Sequence, residues 1–283
     1  MNPTYEIIDL RNPGFPVHTA SLARTEALEH GHLRVTANHT VYSWNMQSVG
    51  DDDSRVAFYL ERLDLSGATP RLSPEVNVPG LPLGYDAATN RAVTAGIRSE
   101  IVEMSAQECR NHPKYAEYNW STERCTLIDT PLRLVEIEGD NASLLAEQEL
   151  SAEARMTNVL TTGDLVFAQT REFREEADDE YWEEGWERIE VSVVTGLGGE
   201  DLDVASTFEL DAWRLEPRTH EDTGRHLIVR GDWRSLVIVD AQDPSDPQVE
   251  EHPTRNYCRD VSVAADAAYC ALRQYGVHTI PLD

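Results

Sequence analysis

Carboxylates crowd two short stretches of this chain. Asp51, Asp52 and Asp53 are consecutive, and Glu175, Glu176, Asp178, Asp179, Glu180, Glu183 and Glu184 fall close together further on. Hard oxygen ligands at such density suit Ca²⁺, so Asp51, Asp52, Asp53, Asp178 and Asp179 are the candidate metal ligands. Neither stretch has EF-hand spacing, and the plainer reading of each is a solvated acidic insertion with no cofactor at all. His30-x-His32 places two imidazoles on one face of a strand, but nothing specifies a third ligand. Tyr181, Trp182 and Trp186 lie inside the second acidic stretch. They either anchor that loop or form an aromatic and acidic surface for a protein or a carbohydrate.

The usual sequence signals of an enzyme are missing. There is no Gly-rich phosphate loop, no H-E-x-x-H and no G-x-S-x-G. The four cysteines fit neither zinc-ligand nor C-x-x-C redox spacing. Cys109 and Cys125 bracket one polar insertion, and Cys258 and Cys270 flank a predicted hairpin, so two local disulfides are expected, against a reading of four buried thiols. Disulfides point to an oxidising compartment. The first residues carry no basic stretch followed by an apolar one, so the chain is expected to be part of a longer exported protein. Asn38-His-Thr40, Asn119-Trp-Ser121 and Asn141-Ala-Ser143 match the glycosylation acceptor pattern.

A net charge of -27 argues against nucleic acid, whose phosphates are bound through Lys and Arg. It equally disfavours anionic lipid surfaces, and no window approaches the roughly 18 apolar residues of a membrane span. Lys114 is the single lysine among 24 basic residues. That bias reads either as a GC-rich genome encoding Arg or as adaptation of a carboxylate surface to high salt.

The element that must position any site is best seen at Leu236-Val-Ile-Val-Asp240. Four apolar residues, three of them β-branched, are too few for a helix and suit a strand buried on both faces. Asp243-Pro-Ser-Asp-Pro247 then forms a turn that cannot continue a ladder. Comparable strands end at Asp9, Asp64, Glu138, Thr195 and Asp283, at intervals of 55, 74, 57, 45 and 43 residues. A basic period of roughly 40 to 50 residues is that of a four-stranded propeller blade. The three longer intervals contain the insertions near 45–55, 105–126 and 171–188. Ser105 to Thr126 lacks a strand pattern and reads as a loop, Asp51 to Ser54 as a loop between strands, and Thr25 to His30 as a polar connector.

Leu236-Val-Ile-Val-Asp240 and Asp246-Pro247, with Val261-Ser-Val263, Ala268-Tyr-Cys-Ala271 and Tyr275-Gly-Val-His278, resemble the LVIVD-type repeats of secreted bacterial and archaeal β-propeller proteins. The resemblance covers the whole chain in outline and is good in the first, fourth and fifth units. It implies an extracellular or cell-surface binding scaffold rather than an activity.

The expected fold is therefore all-β, a single β-propeller over residues 1–283 built of four-stranded antiparallel blades, five to seven in number, about five of them visible as full repeats. Function in such a fold sits where first strands and their loops converge at a channel mouth. Arg34, Asp86, Arg155, Asn158, His226, Arg259 and Asp260 are the polar residues on the predicted first strands. They either neutralise one another across a water-filled channel or bind a small polar ligand. Two functions follow: a non-enzymatic extracellular, periplasmic or cell-surface scaffold binding a protein or carbohydrate at one propeller face, or a hydrolase or lyase with a channel-mouth site, calcium-dependent in one form.

Overall fold

The computed structural model describes residues 3–281 apart from 13, 32, 36–39, 50–51, 68, 111, 113, 151–154, 163–164, 174–186, 211–226, 232–234, 255–257, 259, 265–266 and 273–275. The described chain is all-β, with one helix, α1, among the described residues.

Alternating and β-branched runs separated by Gly, Pro and Asp turns produce a succession of antiparallel sheets. β1 (Thr4–Asp9) and β2 (Val17–Ala23) form a hairpin. β3 (Glu29–His30), β4 (Arg34–Val35), β5 (Thr40–Val49), β6 (Asp52–Asp64), β7 (Arg71–Leu72) and β8 (Val76–Val78) form one sheet around the long β5–β6 pair. β9 (Leu81–Asp86) and β10 (Arg91–Ala95) begin the next. Before it is completed, β11 (Arg98–Glu103), α1 (Ala106–Arg110), β12 (Tyr115–Asn119) and β13 (Arg124–Asp129) make an inserted module whose sheet order is β11-β13-β12. β14 (Leu132–Glu138) and β15 (Asn141–Gln148) then complete the order β15-β14-β10-β9.

β16 (Arg155–Thr162), β17 (Leu165–Phe173), β18 (Glu187–Thr195) and β19 (Asp203–Leu210) follow as a four-stranded meander. Two three-stranded sheets close the described chain: β20 (Leu227–Gly231), β21 (Ser235–Asp240) and β22 (Gln248–Pro253), then β23 (Asp260–Ala264), β24 (Ala267–Ala271) and β25 (Val277–Pro281). The chain gathers into two compact units, Met1–Thr94 with Val135–Leu145, and Ala95–Leu134 with Ala146–Asp283.

In the second unit, β21 behaves as its composition demands. Leu236, Val237, Ile238 and Val239 are all buried. Because side chains alternate along a strand, Val237 and Val239 pack with Leu165, Phe167, Val191 and Val193 of the preceding sheet, while Leu236 and Ile238 pack with Ala268, Cys270, Leu272 and Ile280 of the following one. The turn after it is capped twice. Asp240 Oδ1 accepts the Gln242 N–H at 3.0 Å, and Asp243 Oδ1 accepts both the N–H of Ser245 at 3.0 Å and its hydroxyl at 2.6 Å. Those bonds hold the Asp243 carboxyl below its ordinary pKa. β22, beyond the turn, is largely exposed.

The first unit repeats the scheme. Leu60 of β6 faces Tyr42, Val76, Tyr85, Val135 and Ile137, whereas Leu63 faces Tyr5 and Val41, with Ile7 and Leu22 of the hairpin alongside. The strand-ending residues expected at Asp9, Asp64, Glu138, Thr195 and Asp240 are the last residues of β1, β6, β14, β18 and β21. Asp283 lies outside the described residues.

Both disulfides are formed, with Cα separations of 5.6 Å for Cys109–Cys125 and 5.5 Å for Cys258–Cys270. The first anchors the inserted module on Leu127, Val102 and Met104. Residues 105–126 are consequently not the loop expected. Their strands escape notice because β12 meets β13 through an irregular register between Tyr115 and Glu117, and the small core is supplied by cystine rather than by an alternating apolar face. The acidic turn at 51–54 is also shorter than expected: β5 runs on to Val49, β6 starts at Asp52, and Val49 pairs with Asp52 across an irregularity. Glu29 and His30, read as connector, pair with Met46 and Asn45 as β3.

Candidate functional site

The first unit contains a buried charged cluster centred on Glu61. On β5 the side chains of Val41, Ser43, Asn45 and Gln47 share one face, and Ser43 lies directly opposite Glu61 of β6. A carboxylate in such a position must be paired, since an unpaired buried charge costs several kcal/mol. Glu61 is 1% exposed and its partner Arg24 11%. Arg24 donates Nε–H to Glu61 Oε1 at 3.3 Å, Nη2–H to Oε2, and Nη2–H to the Ser43 hydroxyl at 3.4 Å. Its guanidinium lies 4.5 Å from the centre of the Tyr5 ring. The Tyr5 hydroxyl donates to Glu61 Oε2 at 3.0 Å, and burial, helped by the Glu61 charge, pushes that phenol far above its usual range. The Ser43 hydroxyl in turn donates a hydrogen bond to the Gly31 carbonyl at 2.9 Å.

Gly31 is required here by space. A Cβ at this position would sit 2.1 Å from the Trp44 indole nitrogen, while the Gly31 N–H donates to the Trp44 carbonyl at 2.8 Å. Beside it, Asn45 and Gln47 each donate to Glu75 at 3.0 Å, and Gln47 also donates to Asn45 Oδ1 at 2.9 Å. His30 Nδ1 is 4.0 Å from Glu61 Oε2 and is buried without a hydrogen-bond partner. Burial, and then the Arg24 charge, lower the His30 pKa against the opposing pull of Glu61 and Glu75.

These bonds decide what the cluster does chemically. The Glu61 oxygens already accept from Tyr5 and twice from Arg24, so this carboxylate is a cross-tie rather than a base awaiting a substrate. It fixes β1 and the residue that follows β2 onto the β5–β6 pair. His30 is the member with hydrogen-bonding capacity left over. Reasoning from sequence overlooked the cluster: Ser43, Asn45, Gln47 and Glu61 alternate along their strands as solvent-facing residues do, and only the structure places them on the face shared with Val41 and Leu63 of the core.

Of the seven residues expected at a channel mouth, the five that are described fall on edge strands. Arg34 is on β4, Asp86 ends β9, Arg155 and Asn158 are on β16, and Asp260 begins β23. Each of these strands is an edge of its own sheet, and the four sheets are different. Asp86 caps a turn, accepting the Ala88 N–H at 2.9 Å and the Thr89 hydroxyl at 2.7 Å. The side chains of Arg34, Arg155, Asn158 and Asp260 are outside the described part, as are His226 and Arg259 entirely. Of the acidic and aromatic candidates, Asp51, Asp178, Asp179, Tyr181, Trp182 and Trp186 lie outside the described residues, and Asp52 and Asp53 are described only as backbone of β6. His32 is outside them too.

No protein-family model matches this sequence, and no curated protein sequence matches it. Solved structures give distant likenesses. The Pyrococcus horikoshii acylaminoacyl peptidase is 10% identical over 85% of this chain and 35% of its own, with a TM-score of 0.45. A mutant of the Synechocystis apocarotenoid oxygenase is 9% identical over 84% of this chain and 55% of its own, with a TM-score of 0.42. A Dyadobacter fermentans protein of unknown function is 12% identical over 87% and 73%, with a TM-score of 0.40. The chain thus spans about a third of the peptidase and about half of the oxygenase. At identities and scores this low, the likenesses assign no chemistry to it.

Proposed function

We propose that this chain is a β-propeller binding scaffold of the LVIVD-repeat type, acting in an extracellular, periplasmic or cell-surface setting and engaging a protein or carbohydrate through the loops of one face. The observation that carries the reading is the packing of β21, the middle strand of the β20-β21-β22 sheet, whose two faces belong to two different neighbouring sheets, as an inner strand of a blade held between two other blades requires. Strands ending at the other phase markers, each followed by a turn and a further strand, support it. The two disulfides support an oxidising compartment. Tyr181, Trp182 and Trp186 are the proposed contact residues, with Ca²⁺ at the acidic stretches as an accessory ligand.

The test is co-sedimentation of the purified full chain with envelopes of its producing organism. Saturable binding is expected, abolished by protease treatment for a protein partner or by periodate for a carbohydrate, and weakened at least tenfold by Trp182→Ala with Trp186→Ala. Absence of saturable binding to untreated envelopes, with and without Ca²⁺, overturns the scaffold reading.

A further inference from the structure

The turn between β12 and β13 presents Asn119-Trp-Ser121 in a conformation that the other described acceptor tripeptide lacks. Asn119 Oδ1 accepts the N–H of Ser121 at 3.0 Å, the hydroxyl of Ser121 at 2.7 Å and the N–H of Thr122 at 3.3 Å. The amide oxygen and the hydroxyl of the third residue are therefore already engaged with each other. Residues 119–124 are all exposed, and the turn is stapled at its base by Cys109–Cys125. In sequence, Glu117 precedes Asn119 by two positions.

Asn141 and Ser143 are exposed as well, but Asn141-Ala-Ser143 differs in conformation. It lies in β15, hydrogen-bonded to β14. There, residues two apart share a face but are held about 6.8 Å apart by the extended backbone. The residue two ahead is Gly139. Asn38 of the third tripeptide is outside the described residues.

We infer that Asn119 is an N-linked glycan acceptor in the folded protein and that Asn141 is not, an inference that rests on the chain being exported. In the transfer, Asn119 Nδ2 forms a bond to the anomeric carbon of a lipid-linked oligosaccharide. The bond from that carbon to the lipid phosphate oxygen breaks, the lipid phosphate leaves with its electron pair, and Nδ2 gives up one proton to a base of the transferase. No oxidant or reductant is needed. Surface glycosylation of this kind requires an acceptor in an accessible loop, and the Ser121 hydroxyl bonds the amide oxygen of Asn119 rather than Nδ2, the atom that must attack.

The experiment incubates the purified, disulfide-intact full chain with a single-subunit oligosaccharyltransferase and its lipid-linked oligosaccharide, and reads intact mass and glycopeptides. The expected result is a single added glycan on Asn119, lost in Asn119→Gln and in Ser121→Ala and retained in Asn141→Gln. No mass gain while a control acceptor peptide is modified, or transfer to Asn141, overturns the inference. Chain recovered from its own cells separates the two readings. Formed disulfides with an unmodified Asn119 overturn the glycan site alone, whereas free thiols overturn the exported reading and the glycan site together.

Discussion

The Tyr5 hydroxyl donates to Glu61 Oε2 at 3.0 Å across 56 positions of sequence, the same oxygen that accepts from Arg24. The N-terminal hairpin is thus tied to the β5–β6 pair by a buried charge as well as by Ile7 and Leu22. Glu61→Ala leaves the Arg24 guanidinium buried and unpaired and is expected to cost about 3 to 5 kcal/mol. Tyr5→Phe removes one hydrogen bond to a charged acceptor, at about 1.5 to 3 kcal/mol. Urea unfolding at neutral pH measures both, and replacing the pair by Glu61→Leu with Arg24→Met is expected to recover most of the loss.

His30 gives the first unit a pH dependence of definite sign. Its pKa in the fold is lowered by burial and Arg24, so the unfolded chain binds the proton more readily. The stabilisation is complete above the ordinary histidine pKa of about 6.5 and is lost as pH falls through the lower folded value. Arg24, Glu61 and Glu75 are the charged groups that act on it. Urea midpoints taken from pH 8 down to pH 5 are expected to fall on acidification, with a shallower slope in His30→Gln.

Asp9 sets a second, more acidic step at the hairpin tip. Side-chain and backbone N–H groups of Arg11 hold its carboxyl down to about 2. The hairpin keeps this interaction at neutral pH and loses it as pH falls from about 4 towards 2, below the ordinary aspartate value. NMR titration of the Asp9 carboxyl carbon reads the midpoint directly, and Arg11→Ala is expected to return it towards 4.

The two cystines close loops of 16 and 12 residues. Replacing either pair by alanine is expected to lower stability by about 2 to 4 kcal/mol. Alkylation of unreduced, denatured protein, followed by mass spectrometry, is expected to find no modified cysteine.

Along β21, Ile238→Ala opens a cavity between two sheets and is expected to cost about 2 to 5 kcal/mol. Val249→Ala on the exposed strand β22 is expected to stay within about 0.5 kcal/mol. Chemical denaturation of the two variants side by side gives the comparison.

Strand ends were the most legible feature of the sequence. A run such as Leu236 to Val239 followed by Asp and a proline turn has one low-energy solution, and Asp9, Asp64, Glu138, Thr195 and Asp240 all terminate strands. Local chemistry decides such positions, as it does the disulfides, whose partners are near in sequence. The β11-β13-β12 module was hidden because its pairing contains an irregularity and its core rests on Cys109–Cys125. Glu61 was hidden for a different reason. A carboxylate in an alternating strand reads as facing solvent, and only the arrival of Arg24 and Tyr5 from the hairpin makes the interior position tenable. Such long-range pairing leaves no periodic trace.

The alternation along β21 has an evolutionary corollary. Even-numbered Leu236 and Ile238 answer to the sheet that follows, and odd-numbered Val237 and Val239 to the one that precedes. A duplicated copy of this strand is therefore not free to drift as a block. Substitutions at alternate positions are filtered by different neighbours, so divergence among copies is expected to run on two interleaved schedules within five residues of chain.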